Sequence, residues 1–287
     1  MSTPEKSMPV KTIEVNGLSL AYLEQGEGPL VICLHGFPDS AYSYADMLPV
    51  LAAAGYRAVA PFLRGYYPSA LAPDNDYSIP VVASDLLALI TALGADKASV
   101  IGHDWGGFTA YTAANIAPQR IDKLVVMAVP HMHQSNFSLA QLKKSWYVLL
   151  FQLPWLPEKL VRRNNFEFID QLYRDWCPHW DESAFALEPV KKALAAPGGL
   201  VAALAYYRSM IRGSSSRDRE IMGGRTSVPS LWIAGEADGS VGLEQFEGME
   251  SAFTGPFELF IVDRSGHFVH REAADLVHNK LLQFLAS

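Results

Sequence analysis

The chain has 287 residues, of which 49% are hydrophobic and 18% charged, and its formal net charge is −7. Length and apolar content argue against a disordered chain and allow a large core. An acidic balance without a basic cluster argues against nucleic acid and anionic membrane as partners.

The opening residues MSTPEKSMPVK carry no apolar h-region, so no secretory signal is expected. Thr12–Asn16 and Leu18–Glu24 read as a hairpin turning at Asn16-Gly17. Leu30–Leu34 is a continuous apolar run, as for a strand covered on both faces. Cys33 within it reads as packing, and with Cys177 it lacks metal-type spacing, which suggests a reducing compartment without a disulfide framework. Arg57–Pro61, Ala98–Ile101 and Lys123–Val129 repeat the strand pattern. Tyr42–Ala54, Val81–Leu93 and Gly106–Ala117 carry helical spacing. This alternation predicts a parallel sheet with helices on both faces.

The pattern changes at Pro130. Residues 131–222 are rich in Trp, Tyr, Phe and Leu at helical spacing and end in a loop-like run, Gly213–Arg219. Alternation resumes with strands at Ser230–Ala234 and Phe257–Val262 and helices at Leu243–Phe253 and Glu272–Ala286. The expected organisation is an α/β core, 1–130 and 223–287, interrupted by a helical cap, 131–222. No stretch approaches ~18 apolar residues, so no membrane span is expected and the cytoplasm is the expected location.

Gly102-His103-Asp104-Trp105-Gly106 follows the strand Ala98–Ile101 and precedes a helix. This is a nucleophile elbow, G-x-D-x-G, with aspartate in the place that serine usually holds. A carboxylate is ionised at neutral pH without a base, and it can attack an sp³ carbon to form an ester. Such chemistry suits epoxides and alkyl halides, not ordinary esters. His267, in Gly266-His267-Phe268, follows the last strand and is the candidate base. Asp238, just after the strand ending at Ala234, is its candidate acid, with Glu236 and Asp263 as rivals. The order Asp104, Asp238, His267 is that of the nucleophile-elbow fold, and Pro130–Phe137 holds no carboxylate to replace Asp238. After Leu30–Leu34 comes His35-Gly36-Phe37-Pro38. The backbone N–H groups of Phe37 and Trp105 are candidates for an oxyanion hole, and Phe37-Pro38 is a candidate cis peptide. The pair His131 and His133 lacks further ligands in view, so no metal site and no cofactor are expected.

These residues resemble the epoxide hydrolases of the α/β-hydrolase superfamily along nearly the whole chain. His35–Pro38 is similar to the family's HGFP, Gly102–Gly107 to its GHDWGG, and Arg64-Gly65-Tyr66 to part of its D-x-R-G-Y-G, with Phe62 and Tyr67 as departures. The resemblance implies an α/β-hydrolase fold with an inserted helical cap. It also implies two cap tyrosines that hydrogen-bond the epoxide oxygen. Tyr147 lies in a similar Y-x-x-x-F-Q-x-P context and Tyr207 in a similar Y-Y-R context. Phe37, Trp105 and the cap residue Trp146 are then expected against the substrate, a small apolar epoxide that reacts with water. A homodimer stays open. Two alternatives remain: a dehalogenase using the same nucleophile, which needs a second halide donor, and a non-catalytic ligand-binding member of the fold.

Overall fold

The computed structural model describes residues 8–133, 138–181, 185–213 and 215–287. Residues 1–7, which open the N-terminal stretch, and Gln134–Phe137, which close Pro130–Phe137, lie outside the described residues. Asn16 (φ 52°) and Gly17 (φ 74°) supply the two consecutive positive-φ positions of a tight hairpin turn. They join strand β1 (Lys11–Val15) to antiparallel β2 (Leu18–Gln25).

Six further strands follow: β3 (Leu30–Leu34), β4 (Arg57–Pro61), β5 (Ala98–His103), β6 (Ile121–Met127), β7 (Ser230–Gly235) and β8 (Phe257–Val262). They form one sheet in the order β1-β2-β4-β3-β5-β6-β7-β8. β2 pairs antiparallel with β4, and every pair from β4–β3 to β7–β8 is parallel. Helices α1 (Met47–Ala53) and α11 (Ala274–Ala286) cover one face, and α2 (Ile79–Ala92) and α3 (Trp105–Ile116) cover the other. Leu30, Ile32 and Leu34 of β3 enter the core beneath α2 and α3, while Val31 and Cys33 enter the opposite one. Both faces are therefore dry, which is why this strand reads as an unbroken apolar run. Cys33 and Cys177 are both buried and free.

From β3 the chain moves outward to β4 and then returns past β3 to β5. That reversal leaves a crevice at the carboxyl ends of β3 and β5, where ligands bind in open α/β sheets. The segment His35–Phe37 leaves β3 there, and Asp104 leaves β5.

Among the described residues, seven α-helices occupy the connection from β6 to β7: α4 (Leu139–Lys144), α5 (Trp146–Leu150), α6 (Leu156–Val161), α7 (Arg163–Trp176), α8 (Glu188–Ala195), α9 (Gly199–Arg208) and α10 (Ser216–Met222). No strand occurs among the described residues of that connection. Among the described residues, no helix is long and apolar enough to cross a membrane.

Two local expectations are corrected. Gly213–Arg219 is not simply a loop: a π-turn at Ser209–Gly213 is followed by α10. Ser215 caps that helix, its Oγ accepting from Asp218 N–H at 3.1 Å while Asp218 accepts from Ser215 N–H at 2.8 Å. The serine run that suggests a loop thus ends in a capping box. Leu243–Phe253 is not one helix but two 3₁₀ turns, Leu243–Phe246 and Met249–Ala252. Extended Glu247 and Gly248 at φ 72° separate them.

The Arg64-Gly65-Tyr66 segment is anchored by an ion pair that its own motif does not contain. Arg64 donates to both oxygens of Asp85 on α2, at 2.5 and 2.8 Å, and to the Asp76 carbonyl at 2.6 Å. Phe62 is buried with its ring 5.2 Å from that of Tyr42. Asp85→Ala would strand a buried guanidinium charge. Its expected cost is roughly 3–5 kcal/mol, to be read as a lowered midpoint in urea denaturation. An unchanged midpoint would show that the pair is energetically neutral.

Candidate active site

Asp104 sits between β5 and α3 at φ 52°, ψ −119°, a backbone region that costs energy for any residue but glycine. Its neighbours explain why the turn holds. A Cβ at Gly102 would lie 2.2 Å from the Gly106 carbonyl oxygen, and one at Gly106 would lie 2.1 Å from the Leu34 oxygen. The turn is closed on itself and against β3, so the Asp104 side chain projects from the sheet end while staying only 12% exposed. The Phe37 N–H donates to Asp104 Oδ1 at 2.6 Å, and the nearby Trp105 N–H favours the charged carboxylate. Gly36 permits this approach, since a Cβ there would lie 2.2 Å from Oδ1. Of the two N–H groups expected to form an oxyanion hole, that of Phe37 therefore already bonds an oxygen of Asp104. Burial drives the Asp104 pKa up to about 6, against the lowering effects of His267 and the two backbone donors.

His35 supports this corner. Its Nδ1–H donates to the Gly36 carbonyl at 3.0 Å and its Nε2 accepts from Leu63 N–H at 3.1 Å. Phe37-Pro38 is cis.

His267, on the loop after β8, is fully buried. Its Nδ1–H donates to Asp238 Oδ2 at 2.9 Å, and its Nε2 lies 3.9 Å from Asp104 Oδ2 with no hydrogen-bond partner. The other oxygen of Asp238 accepts from Ser240 and Val241 N–H at 2.7 and 2.9 Å, which fixes the carboxylate plane. Burial lowers the His267 pKa, but the charges of Asp238 and Asp104 outweigh it and the net shift is upward. The rivals are elsewhere: Glu236 is exposed and accepts from Arg264 N–H at 3.1 Å, and Asp263 is exposed.

Tyr147 on α5 and Tyr207 on α9 meet with ring centroids 5.9 Å apart, nearly perpendicular. Tyr207 packs edge-on against Trp105 at 4.7 Å and Phe37 at 5.4 Å, and its buried hydroxyl has no partner. The Tyr147 hydroxyl lies 3.0 Å from Ser240 Oγ. Burial raises both phenol pKa values, and the nearby charge of Asp104 adds to it. The two sequence contexts are stapled together. Gln152 donates to the Tyr207 carbonyl at 3.1 Å, Arg208 donates to the Phe151 carbonyl at 2.9 Å, and the Phe151 ring sits against Phe37 and Tyr207.

Asp104, Asp238, His267, Phe37, Trp105, Tyr147 and Tyr207 thus converge. Trp146 does not join them. It is 48% exposed, and its ring contacts are with Tyr147 and Phe168. Neighbouring side chains on α5 point about 100° apart, and with Tyr147 buried Trp146 turns toward solvent. Trp176, which sequence reasoning missed, takes the inner position. Its ring lies 4.9 Å from His267 and 5.0 Å from Tyr147, and its carbonyl accepts from both His267 and Gly239 N–H at 3.1 Å. As the last residue of a helix it carries no motif. Ser240 was missed for the same reason.

His131 and His133 are satisfied locally. His131 Nδ1 accepts from His133 N–H at 3.1 Å and Nε2 pairs with Thr226 Oγ1 at 3.1 Å, while His133 Nδ1–H donates to the Gly223 carbonyl at 2.7 Å. Among the described residues, buried Asp39, His103 and His270 hold ligand-type atoms within 4.8 Å of one another. His103 Nε2–H is committed to the His267 carbonyl at 2.9 Å, which ties the cluster to the His267 backbone.

The profile of the alpha/beta hydrolase fold family matches residues 29–274. The AB hydrolase superfamily protein YfhM of Bacillus subtilis is 32% identical over 95% of this chain and 96% of its own length. Epoxide hydrolase A of Mycobacterium tuberculosis is 29% identical over 96% of each chain, and human epoxide hydrolase 4 is 30% identical over 95% of this chain and 77% of its own. A solved Vigna radiata epoxide hydrolase mutant superposes with a TM-score of 0.84 at 27% identity, covering 98% of this chain and 99% of that one.

Proposed function

The chain belongs to the α/β-hydrolase family as an epoxide-hydrolase-like member, and on that premise we propose that it opens epoxides to vicinal diols through an ester on Asp104. The observation that carries this reading is the arrangement around the Asp104 carboxylate. One oxygen is held by the Phe37 N–H, the other faces a partnerless His267 Nε2 at 3.9 Å, and a partnerless Tyr207 hydroxyl is nearby.

Asp104 Oδ2 attacks an epoxide carbon, the carbon–oxygen bond breaks, and the released oxygen takes a proton from a cap tyrosine. His267 then removes a proton from water, and the hydroxide adds to the ester carbonyl of Asp104. Asp238 stabilises the imidazolium. The tetrahedral oxyanion rests on the N–H groups of Phe37 and Trp105, which need no reorganisation to receive it. Collapse expels the diol oxygen, which takes the proton from His267, and the acid form of Asp104 returns a proton to the tyrosinate. In this reading α4–α10 act as a cap that brings the tyrosines to the sheet end, and Trp176 replaces Trp146 as an inner wall.

The reading is tested with styrene oxide, a terminal aliphatic epoxide, and chloro- and bromoalkanes. Diol is expected from the epoxides, with full activity in EDTA. Halide release without epoxide turnover would reverse the assignment. One observation favours that second reading: the Trp105 indole N–H is buried without a partner, as a halide donor would be.

Two groups set the pH dependence. Alkylation needs ionised Asp104, whose pKa of about 6 lies above the ordinary carboxylate value, so kcat/KM falls as pH drops through about 6. Hydrolysis needs neutral His267, whose pKa is raised, so a hydrolysis-limited kcat falls on acidification at a higher pH than an ordinary histidine would dictate. Rapid-quench rates across pH 5–8 check this. Coincident limbs at ~4 would contradict it.

A further inference from the structure

Ser240 touches the candidate site at two points without belonging to the charge relay. Its N–H donates to Asp238 Oδ1 at 2.7 Å, and its buried Oγ lies 3.0 Å from the Tyr147 hydroxyl. That is the hydrogen bond found for Ser240 Oγ among the described residues, and the Tyr207 hydroxyl has none. The two tyrosines therefore differ: the Tyr147 oxygen has the Ser240 hydroxyl at hydrogen-bond distance, whereas the Tyr207 oxygen, with the Tyr147 hydroxyl and the Trp105 indole close by, has no partner at that distance.

We propose that Ser240 is a positioning residue that donates its O–H to the Tyr147 oxygen and so makes Tyr147, not Tyr207, the tyrosine that gives up its proton. The inference rests on the epoxide reading. A buried hydroxyl hydrogen needs an acceptor, and the Tyr147 oxygen is the one in reach. That direction leaves the Tyr147 hydrogen free for the epoxide oxygen. As the proton leaves, charge grows on the phenol oxygen, and a hydrogen bond already aimed there strengthens. Burial opposes this charge, and the bond from Ser240 acts against burial. Tyr207, whose oxygen has the Trp105 indole nearby but no donor at hydrogen-bond distance, donates a hydrogen bond to the same oxygen and keeps its proton. The placement also links the two half-reactions. One short turn orients Asp238 for hydrolysis through its backbone and Tyr147 for ring opening through Ser240 Oγ.

The test is single-turnover kinetics with styrene oxide, resolving alkylation from hydrolysis, on Ser240→Ala and Ser240→Thr. Each is made alone and with Tyr147→Phe or Tyr207→Phe. Ser240→Ala should slow alkylation by roughly tenfold and leave hydrolysis within about twofold. Ser240→Thr, which keeps the hydroxyl, should restore most of the rate. With Tyr147→Phe, Ser240→Ala should add nothing; with Tyr207→Phe its full effect should persist. A loss that survives in the Tyr147→Phe background overturns the proposal. So does a loss confined to hydrolysis, which would mark a disturbed Asp238 turn. Absence of any alkylation in the unmodified protein is a separate outcome, and it removes the epoxide reading together with this one. Should Ser240→Ala fold poorly, Ser240→Cys supplies a weaker donor of similar size, and an intermediate alkylation rate is then expected.

Discussion

Replacing His267 with Gln is expected to leave the protein carrying its substrate as an ester on Asp104, with turnover reduced by about 10³-fold or more. The reason is the geometry of the two Asp104 oxygens. Attack on an epoxide uses an oxygen that is already ionised at neutral pH and needs no base. Only the second step needs His267 Nε2, which faces Asp104 Oδ2 from 3.9 Å and has no other partner. Intact-protein mass spectrometry should show a gain equal to the epoxide, and peptide mapping should place it on Asp104. The oxygen source follows from the same logic. In a single turnover of unmodified enzyme in ¹⁸O water, the diol should be unlabelled and the label should enter Asp104. Labelled diol in that first turnover would mean direct attack by water, and the ester mechanism would be wrong.

The second large effect concerns proton delivery. Tyr147→Phe with Tyr207→Phe removes both hydroxyls that face the site and should lower epoxide opening by roughly 10⁴-fold, since each donor to a developing oxyanion contributes on the order of 10²-fold. Either single change should leave measurable activity, because the remaining hydroxyl still reaches the epoxide oxygen. The ring contacts of Tyr147 with Trp176, and of Tyr207 with Trp105 and Phe37, survive in phenylalanine, so the double variant should stay folded. Near-UV circular dichroism checks that. A double variant that alkylates Asp104 at the unmodified rate would remove the tyrosines from the mechanism and favour halides, whose departure needs no proton.

Much of this was legible before any coordinates because the relevant signals are local. Two positive-φ residues make the turn at Asn16-Gly17. Strands buried on both faces read as apolar runs. The glycines at 102 and 106 announce a turn too tight for side chains around Asp104. The strand order adds that His35–Phe37 and Asp104 leave neighbouring strands. What failed locally failed for local reasons of the opposite kind. Ser215 caps a helix inside a loop-like run, and Gly248 breaks an apparently helical one.

The choice among acids was different, because Asp238, Glu236 and Asp263 are chemically alike and close in the chain. Only the packed loops decide that Asp238 turns inward to His267 while the other two face solvent. Trp146 and Trp176 pose the same problem on the helices. Composition promises an aromatic wall, but helix phase and the docking of α5 and α7 against the sheet end determine which indole reaches the site. Ser240 has no signature at all: its contact with Tyr147 joins residues 93 positions apart. By itself, then, the sequence determined the sheet and the elbow and singled out Asp104 and His267 as the candidate nucleophile and base, because backbone preference and residue spacing act over a few residues. The orienting acid, the inner tryptophan and the hydroxyl beside Tyr147 were decided by tertiary structure, because burial and hydrogen-bond partnership depend on which distant segments pack together.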